Sequence, residues 1–193
     1  MDDIGTKTLE TERLILRKFK ASDAYAMYEG WCRDERVTQY VTWLPHKRIE
    51  ETKALVNMWL EAYEKPHTYR YVIVEKAHNK PIGSIDCVGF SLRSESCEIG
   101  YCLDANYWGK GLMTEAFKRV IEYLFEEVGI NRLFGRYVVS NPGSKKVMEK
   151  AGMTFEGFQR EAFRLHTGEF VDLGTYSLLK KEYYKLYKGE NDE

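Results

Sequence analysis

The pattern of the sequence predicts a mixed α/β fold, one β-sheet covered by helices. Three observations carry this. Strand-like runs follow one another with only short turns between Tyr69 and Leu103. A long amphipathic stretch from Leu112 to about Val128 is bracketed by two strands, Glu95–Leu103 and Arg132–Val139. A crossover of that length allows the two strands to be parallel. Two last runs, Thr154–Phe163 and Phe170–Leu179, read as a closing hairpin.

Taken in order, Leu9 to Phe19 alternates and reads as one strand. Ser22 reads as the N-cap of a helix over Asp23–Trp31, and a second short helix is expected over Asp34–Val41. Pro45 interrupts the chain, and Ile49–Glu64 carries Leu55, Met58, Trp59 and Ala62 at helical spacing. Tyr69–Glu75 and Pro81–Phe90 are strands joined by a turn at Ala77–Lys80. In the long helix, Leu112, Ala116, Val120 and Leu124 form a stripe that Phe117, Ile121 and Phe125 widen, so it should be deeply packed. Asn141-Pro142 opens another helix, which Gly152 ends. Lys180–Tyr187 is expected as a short terminal helix, and the acidic tip Glu190–Glu193 as frayed.

The 193 residues suit a single domain spanning 1–193, with 29 basic against 30 acidic residues. That near-neutral balance leaves no electrostatic footprint for nucleic acid. The N-terminus is acidic and polar and lacks a signal-peptide core, and nowhere is there an apolar run long enough for a membrane helix. A cytoplasmic location is therefore expected, with no membrane partner. Cys32, Cys87, Cys97 and Cys102 show no metal-ligand spacing and should be free thiols. Cys97 and Cys102 should point to opposite faces of their strand. His46, His67, His78 and His166 are equally scattered, and no metal site is expected.

The strongest chemical signal is Trp108-Gly109-Lys110-Gly111-Leu112, between a strand and a helix. Glycines let backbone approach a ligand closely, and the free amides and dipole of the helix start favour a pyrophosphate. By itself the segment also fits a plain tight turn. A dinucleotide fingerprint would need a third glycine where Thr114 stands, and no P-loop pattern is present. The second signal is Asn141-Pro142-Gly143-Ser144-Lys145-Lys146-Val147, in which Asn141 also fits a simple N-cap.

Taken together, these segments resemble a known family. Tyr107 to Ala116 is similar to the acetyl-CoA pyrophosphate loop of GNAT acetyltransferases, in particular the branch of ribosomal-protein N-terminal-alanine acetyltransferases. Glu98-Ile99-Gly100-Tyr101 resembles that branch's preceding strand, and Asn141-x-x-Ser144-x-x-Val147-x-x-x-x-Gly152 its second cofactor segment. Leu9-Glu10-Thr11-Glu12-Arg13-Leu14-x-Leu16-Arg17 resembles its opening strand. The likeness covers about residues 9–181. One departure is Asn106, where the superfamily usually has Arg or Gln, so a side-chain phosphate contact is not expected there.

The resemblance implies a mostly antiparallel sheet with one parallel strand–helix–strand unit at the cofactor site and helices on both faces. It implies acetyl-CoA as cosubstrate, paired through its pantetheine arm with the main chain of Tyr101, Cys102 and Leu103. Its pyrophosphate would sit on Trp108, Gly109, Lys110, Gly111, Leu112, Met113 and Thr114, and Asn141 would bind the pantetheine arm. An amine would attack the thioester directly. Glu98 is the leading base, directly or through water, although it also reads as a structural carboxylate, and Glu161 is a weaker candidate. The family match places Ser144 as donor to the leaving thiolate, with Tyr101 and Tyr137 in reserve. Lys145 and Lys146 are either contacts for a CoA phosphate or solvated.

The expected partner is an amine acceptor, the N-terminus of a protein such as a ribosomal protein or else a small molecule. The enzyme is expected as a monomer or homodimer. Trp31, Tyr40, Trp43, Trp59 and Tyr63 either line the acceptor site or fill core, and core is favoured. The rival readings are a non-catalytic acyl-CoA-binding module and a dinucleotide-dependent oxidoreductase.

Overall fold

The computed structural model describes residues 3–189, so the acidic tip lies outside the described residues. Eight strands form one sheet in the order β1-β2-β3-β4-β5-β6-β8-β7. They are β1 (Leu9–Glu10), β2 (Leu14–Arg17), β3 (Arg70–Glu75), β4 (Lys80–Ser91), β5 (Ser96–Leu103), β6 (Arg132–Val138), β7 (Thr154–Arg164) and β8 (Phe170–Leu179). Every neighbouring pair is antiparallel except β5 and β6.

Helices pack on both faces because β3 is apolar on both. Tyr71 and Ile73 point into one core and Val72 and Val74 into the other. The first core lies under α4 (Leu112–Tyr123), which a π turn prolongs to Val128. All seven residues of its predicted stripe are buried there. Burying a side chain such as Phe117 is worth about 1.5–3 kcal/mol, so this one face is a major part of the fold's stability. α5 (Pro142–Lys150) and α6 (Lys180–Tyr183) add Met148 and Tyr183 to the same core.

The second core is covered by α1 (Ala24–Met27), α2 (Glu35–Thr38) and α3 (Ile49–Ala62). Trp31 is fully buried in it, and Trp43, Trp59 and Tyr63 pack against it. Cys97 belongs to the first core and Cys102 to the second, on opposite faces of β5. All four cysteines are free.

Three local expectations are corrected. Leu9–Phe19 is two strands, because Thr11 closes a turn: its hydroxyl accepts the Leu14 amide at 3.0 Å and its amide donates to the Leu14 carbonyl. β1 therefore folds back on β2, and the Phe19 amide leaves the sheet to donate to the Tyr63 hydroxyl. Ser22 does not cap the first helix. Asp23 does this work, accepting the Lys20 amide at 2.7 Å while Arg17 grips both its oxygens at 2.8 and 2.9 Å. The helix itself is short, with a 3₁₀ turn at Ala21–Asp23 before α1 and a π turn at Tyr28–Cys32 after it. On α3 the buried face is rotated from the predicted stripe. Met58 is exposed, whereas Thr52 is buried because its hydroxyl pairs with His46 Nδ1 at 2.7 Å.

Candidate active site

The site starts from a split in the sheet. β5 is bonded to β4 along its length, but its parallel pairing with β6 runs only from Ser96–Arg132 to Glu98–Phe134. Beyond that point β6 stays with β8 as far as Val138–Leu173. One edge of β5 is thereby released from the sheet, and Tyr101, Cys102 and Leu103 lie on it. Released strand edge presents unpaired main-chain donors and acceptors to whatever enters. The Leu103 carbonyl already receives the Trp108 indole N–H at 2.8 Å, which ties the following turn to the strand end.

That turn is shaped by Asp104, buried at the end of β5. Its Oδ1 accepts both the main-chain and side-chain N–H of Asn106 at 2.9 Å. Asn106 is thus folded back on Asp104. Gly109 and Gly111 have φ of 74° and 76°, the left-handed region. A Cβ on Gly109 would meet nothing within 4 Å, so within the protein the glycines serve conformation rather than close packing. α4 starts directly after Gly111 with no side-chain cap, so its first amides are uncommitted to side chains. Leu112 and Met113 bury their side chains in the core.

The start of α5 stands across the split. Asn141 Oδ1 accepts the Ser144 amide at 3.2 Å, with Pro142 at the first helical position. The Ser144 hydroxyl is 3.0 Å from the Tyr101 hydroxyl, which also reaches the Ser144 carbonyl at 2.9 Å. Burial pushes the Tyr101 hydroxyl well above its ordinary pKa, so it remains a donor at neutral pH. Its ring packs on Phe117 of α4 at 5.5 Å, so Tyr101 joins β5 to both α4 and α5. Tyr137 is built differently. Its ring lies so close over Gly174 that any Cβ there would collide with it, and it tilts against Tyr176.

Glu98 sits at the vertex of the split and opens into a groove on the helix-poor part of the sheet. The groove also exposes Arg132, Phe134, Arg136, Glu156 and Phe158. Arg136 donates to both Glu98 oxygens at 2.7 and 3.1 Å, and Arg132 to both Glu156 oxygens at 2.6 and 2.7 Å. The Arg132 guanidinium holds the Glu156 carboxyl down to about 2, against the opposite effect of burial. The sequence reading missed these arginines. The signal was the alternation of Arg132, Phe134 and Arg136, which puts all three on one face of β6.

Glu161 is not brought to this groove. It lies in a bulge of β7 with φ of 49°, its amide donating to Asp172, in a separate depression. Lys145 pairs with Glu149 at 3.6 Å, and Lys146 is exposed. Among the described residues no group of three or more His, Cys, Asp or Glu is placed to hold a metal, and no described helix is long and apolar enough to cross a membrane.

The family model for the acetyltransferase (GNAT) domain matches residues 13–154. The uncharacterised N-acetyltransferase p20 of Bacillus licheniformis is 30% identical over 92% of this chain and 98% of its own length. The spermidine N(1)-acetyltransferase of Vibrio cholerae is 22% identical over 72% of this chain and 78% of its own. In three dimensions the chain is similar to RimL, a ribosomal L7/L12 α-N-protein acetyltransferase solved with coenzyme A. The TM-score is 0.81 at 21% identity, over 90% of this chain and 98% of that one, a likeness of fold.

Proposed function

This chain belongs to the GNAT acetyltransferases and is an N-acetyltransferase, and we propose that it acetylates the N-terminal amine of a protein from acetyl-CoA. We read residues 1–193 as one catalytic domain. The observation that carries the reading is the split between β5 and β6, flanked by the uncapped start of α4 and by Ser144 of α5. The released edge of Tyr101–Leu103 pairs with the pantetheine arm, with Asn141 beside it. The amides from Trp108 to Thr114 hold the diphosphate, and the thioester supplies an activated acetyl group at the vertex. A neutral amine attacks the carbonyl carbon, the carbon–sulfur bond breaks, and the Ser144 hydroxyl donates a hydrogen bond to the departing thiolate. Glu98 takes the amine's proton through water.

The groove selects among amines. Its two carboxylates are each paired with an arginine, so it carries no net negative charge to hold a polyamine. Arg136 grips both Glu98 oxygens, so Glu98 would reach the amine through water. An α-amine has pKa about 8 and costs under about 1 kcal/mol to deprotonate near pH 7.5, against about 4 kcal/mol for a lysine amine. The first needs less help from a base. The open groove also admits an extended chain, with Phe134 and Phe158 as apolar contacts.

The test is release of CoA from acetyl-CoA with three acceptors: peptides with a free N-terminus, N-terminally blocked peptides containing lysine, and spermidine. Free N-termini are expected to react fastest, by roughly 100-fold over blocked peptides from the deprotonation difference alone. Faster turnover of spermidine would replace the protein acceptor with a small amine. Tight acetyl-CoA binding without CoA release to any of the three would point to a non-catalytic module.

A further inference from the structure

The shape of the glycine turn is not held by the turn alone. The bend between β1 and β2 reaches across to it from about a hundred positions away in the chain. Thr11 Oγ1 donates to Glu115 Oε1 at 2.6 Å, and the Arg13 amide donates to the same oxygen at 3.0 Å. Arg13 Nε and Nη2 both lie 2.6 Å from Glu115 Oε2. The remaining arm of the guanidinium, Nη1, donates to the Lys110 carbonyl at 3.0 Å. Lys110 is the residue between the two left-handed glycines. Arg13 therefore bolts the first turn of α4 to the middle of the glycine turn.

Two physical consequences follow. A peptide unit is planar and trans, so a carbonyl held to one side sends the next N–H to the other. With the Lys110 carbonyl fixed on Arg13, the Gly111 amide is directed away from Arg13. The second consequence is electrostatic. Glu115 places a negative charge in the first turn of the helix whose start would receive a diphosphate, where it would repel that ligand. Burial pushes the Glu115 carboxyl up, yet the hydrogen bonds from Thr11 and Arg13 together outweigh it and leave its pKa lowered. The group is a carboxylate at neutral pH, and Arg13 offsets its charge.

We infer that Arg13 and Glu115 are a positioning pair for the diphosphate of acetyl-CoA: they touch no reacting atom, but they aim the Gly111 amide and cancel a charge that would oppose the ligand. The inference rests on the proposed placement of the diphosphate at α4. It also gives a role to the opening Thr11-Glu12-Arg13 segment, which neither the released edge nor the groove uses.

The experiment compares acetyl-CoA with acetyl-pantetheine, which has the same thioester arm without the nucleotide diphosphate. In the unmodified enzyme, equal kcat/KM for the two donors would remove the diphosphate site itself, and with it the reading beneath this inference. Given the expected preference for acetyl-CoA, Arg13→Ala should raise its KM about tenfold with kcat within about twofold, and leave acetyl-pantetheine within about twofold. Arg13→Lys keeps the charge but not the fork and is expected to raise KM for acetyl-CoA about threefold, with acetyl-pantetheine unchanged. Arg13 is nearly half exposed, so this milder variant keeps the test alive if the alanine variant misfolds. An equal loss with both donors would make Arg13 a general structural residue and overturn the inference. So would a lysine variant indistinguishable from the parent, since charge alone would then suffice.

Discussion

The two helices that face the split begin in opposite ways. α5 begins closed: Asn141 caps the Ser144 amide, and Pro142 removes another donor. α4 begins open, after a glycine in the left-handed region, with no side chain on its amides. Of the orphan amides that a helix start must satisfy, α5 caps one with a side chain and replaces another by proline, whereas α4 commits none to a side chain. The open start costs local stability that the deeply packed stripe of α4 offsets. The closed start is free to present a side chain, Ser144, in a defined position. In the proposed mechanism the open helix binds and the closed helix takes part in chemistry.

The largest expected effect tests the second half of that division. Because Asn141 supplies the cap, Ser144→Ala should leave the melting temperature nearly unchanged. It should lower kcat about 100-fold, the low end for losing one donor to a developing anion, since thiolate sulfur is a soft acceptor. KM for acetyl-CoA should stay within about twofold. Full turnover in the variant would move the donor role to Tyr101, whose hydroxyl lies 3.0 Å away.

Next in size is Gly111→Val. A branched side chain here would crowd the backbone beside a bound pyrophosphate. Within the protein, a Cβ here meets only Arg13 Nη2 at 3.7 Å, so the strain of φ 76° adds to any clash with the ligand. A left-handed non-glycine residue costs roughly 1–2 kcal/mol, and a branched one more. Acetyl-CoA affinity, measured by titration calorimetry, should fall at least about tenfold while kcat at saturation is preserved. Unchanged affinity in a folded variant would make the open start of α4 a plain turn.

The smallest effect separates capping from binding at α5. Asn141→Ala should cost about 1 kcal/mol through the lost cap, or roughly 2–4 °C in melting temperature for a chain of this size. Asn141→Asp keeps an oxygen on the Ser144 amide but removes the side-chain amide donor. It should retain the melting temperature and raise KM for acetyl-CoA a few-fold if that amide meets the pantetheine arm. A parent-like KM would confine Asn141 to capping.

What could be read from the sequence was whatever depends on neighbours in the chain. The stripe of α4 is periodic, so its buried face followed from spacing alone. The paired glycines and Asn141-Pro142 announce their backbone conformations one residue at a time. The long helix between the two strands allowed the parallel pairing of β5 and β6 that the sheet shows.

Tertiary structure decided everything that one side chain does for a distant one. Leu9–Phe19 alternates like a single strand, but the Thr11 hydroxyl bends it. Met58 fits a helical stripe, but α3 turns Thr52 inward because His46 is there to pair with its hydroxyl. Glu98 reads as a base or a structural carboxylate until the parallel register of β5 and β6 brings Arg136 onto both its oxygens. Arg13 carries no local sign that it holds the carbonyl of Lys110. Periodicity and capping are short-range, set by a few residues of backbone. Ion pairs and the aim of an amide are set by distances that exist only once the sheet has assembled, and in this protein those contacts shape the site.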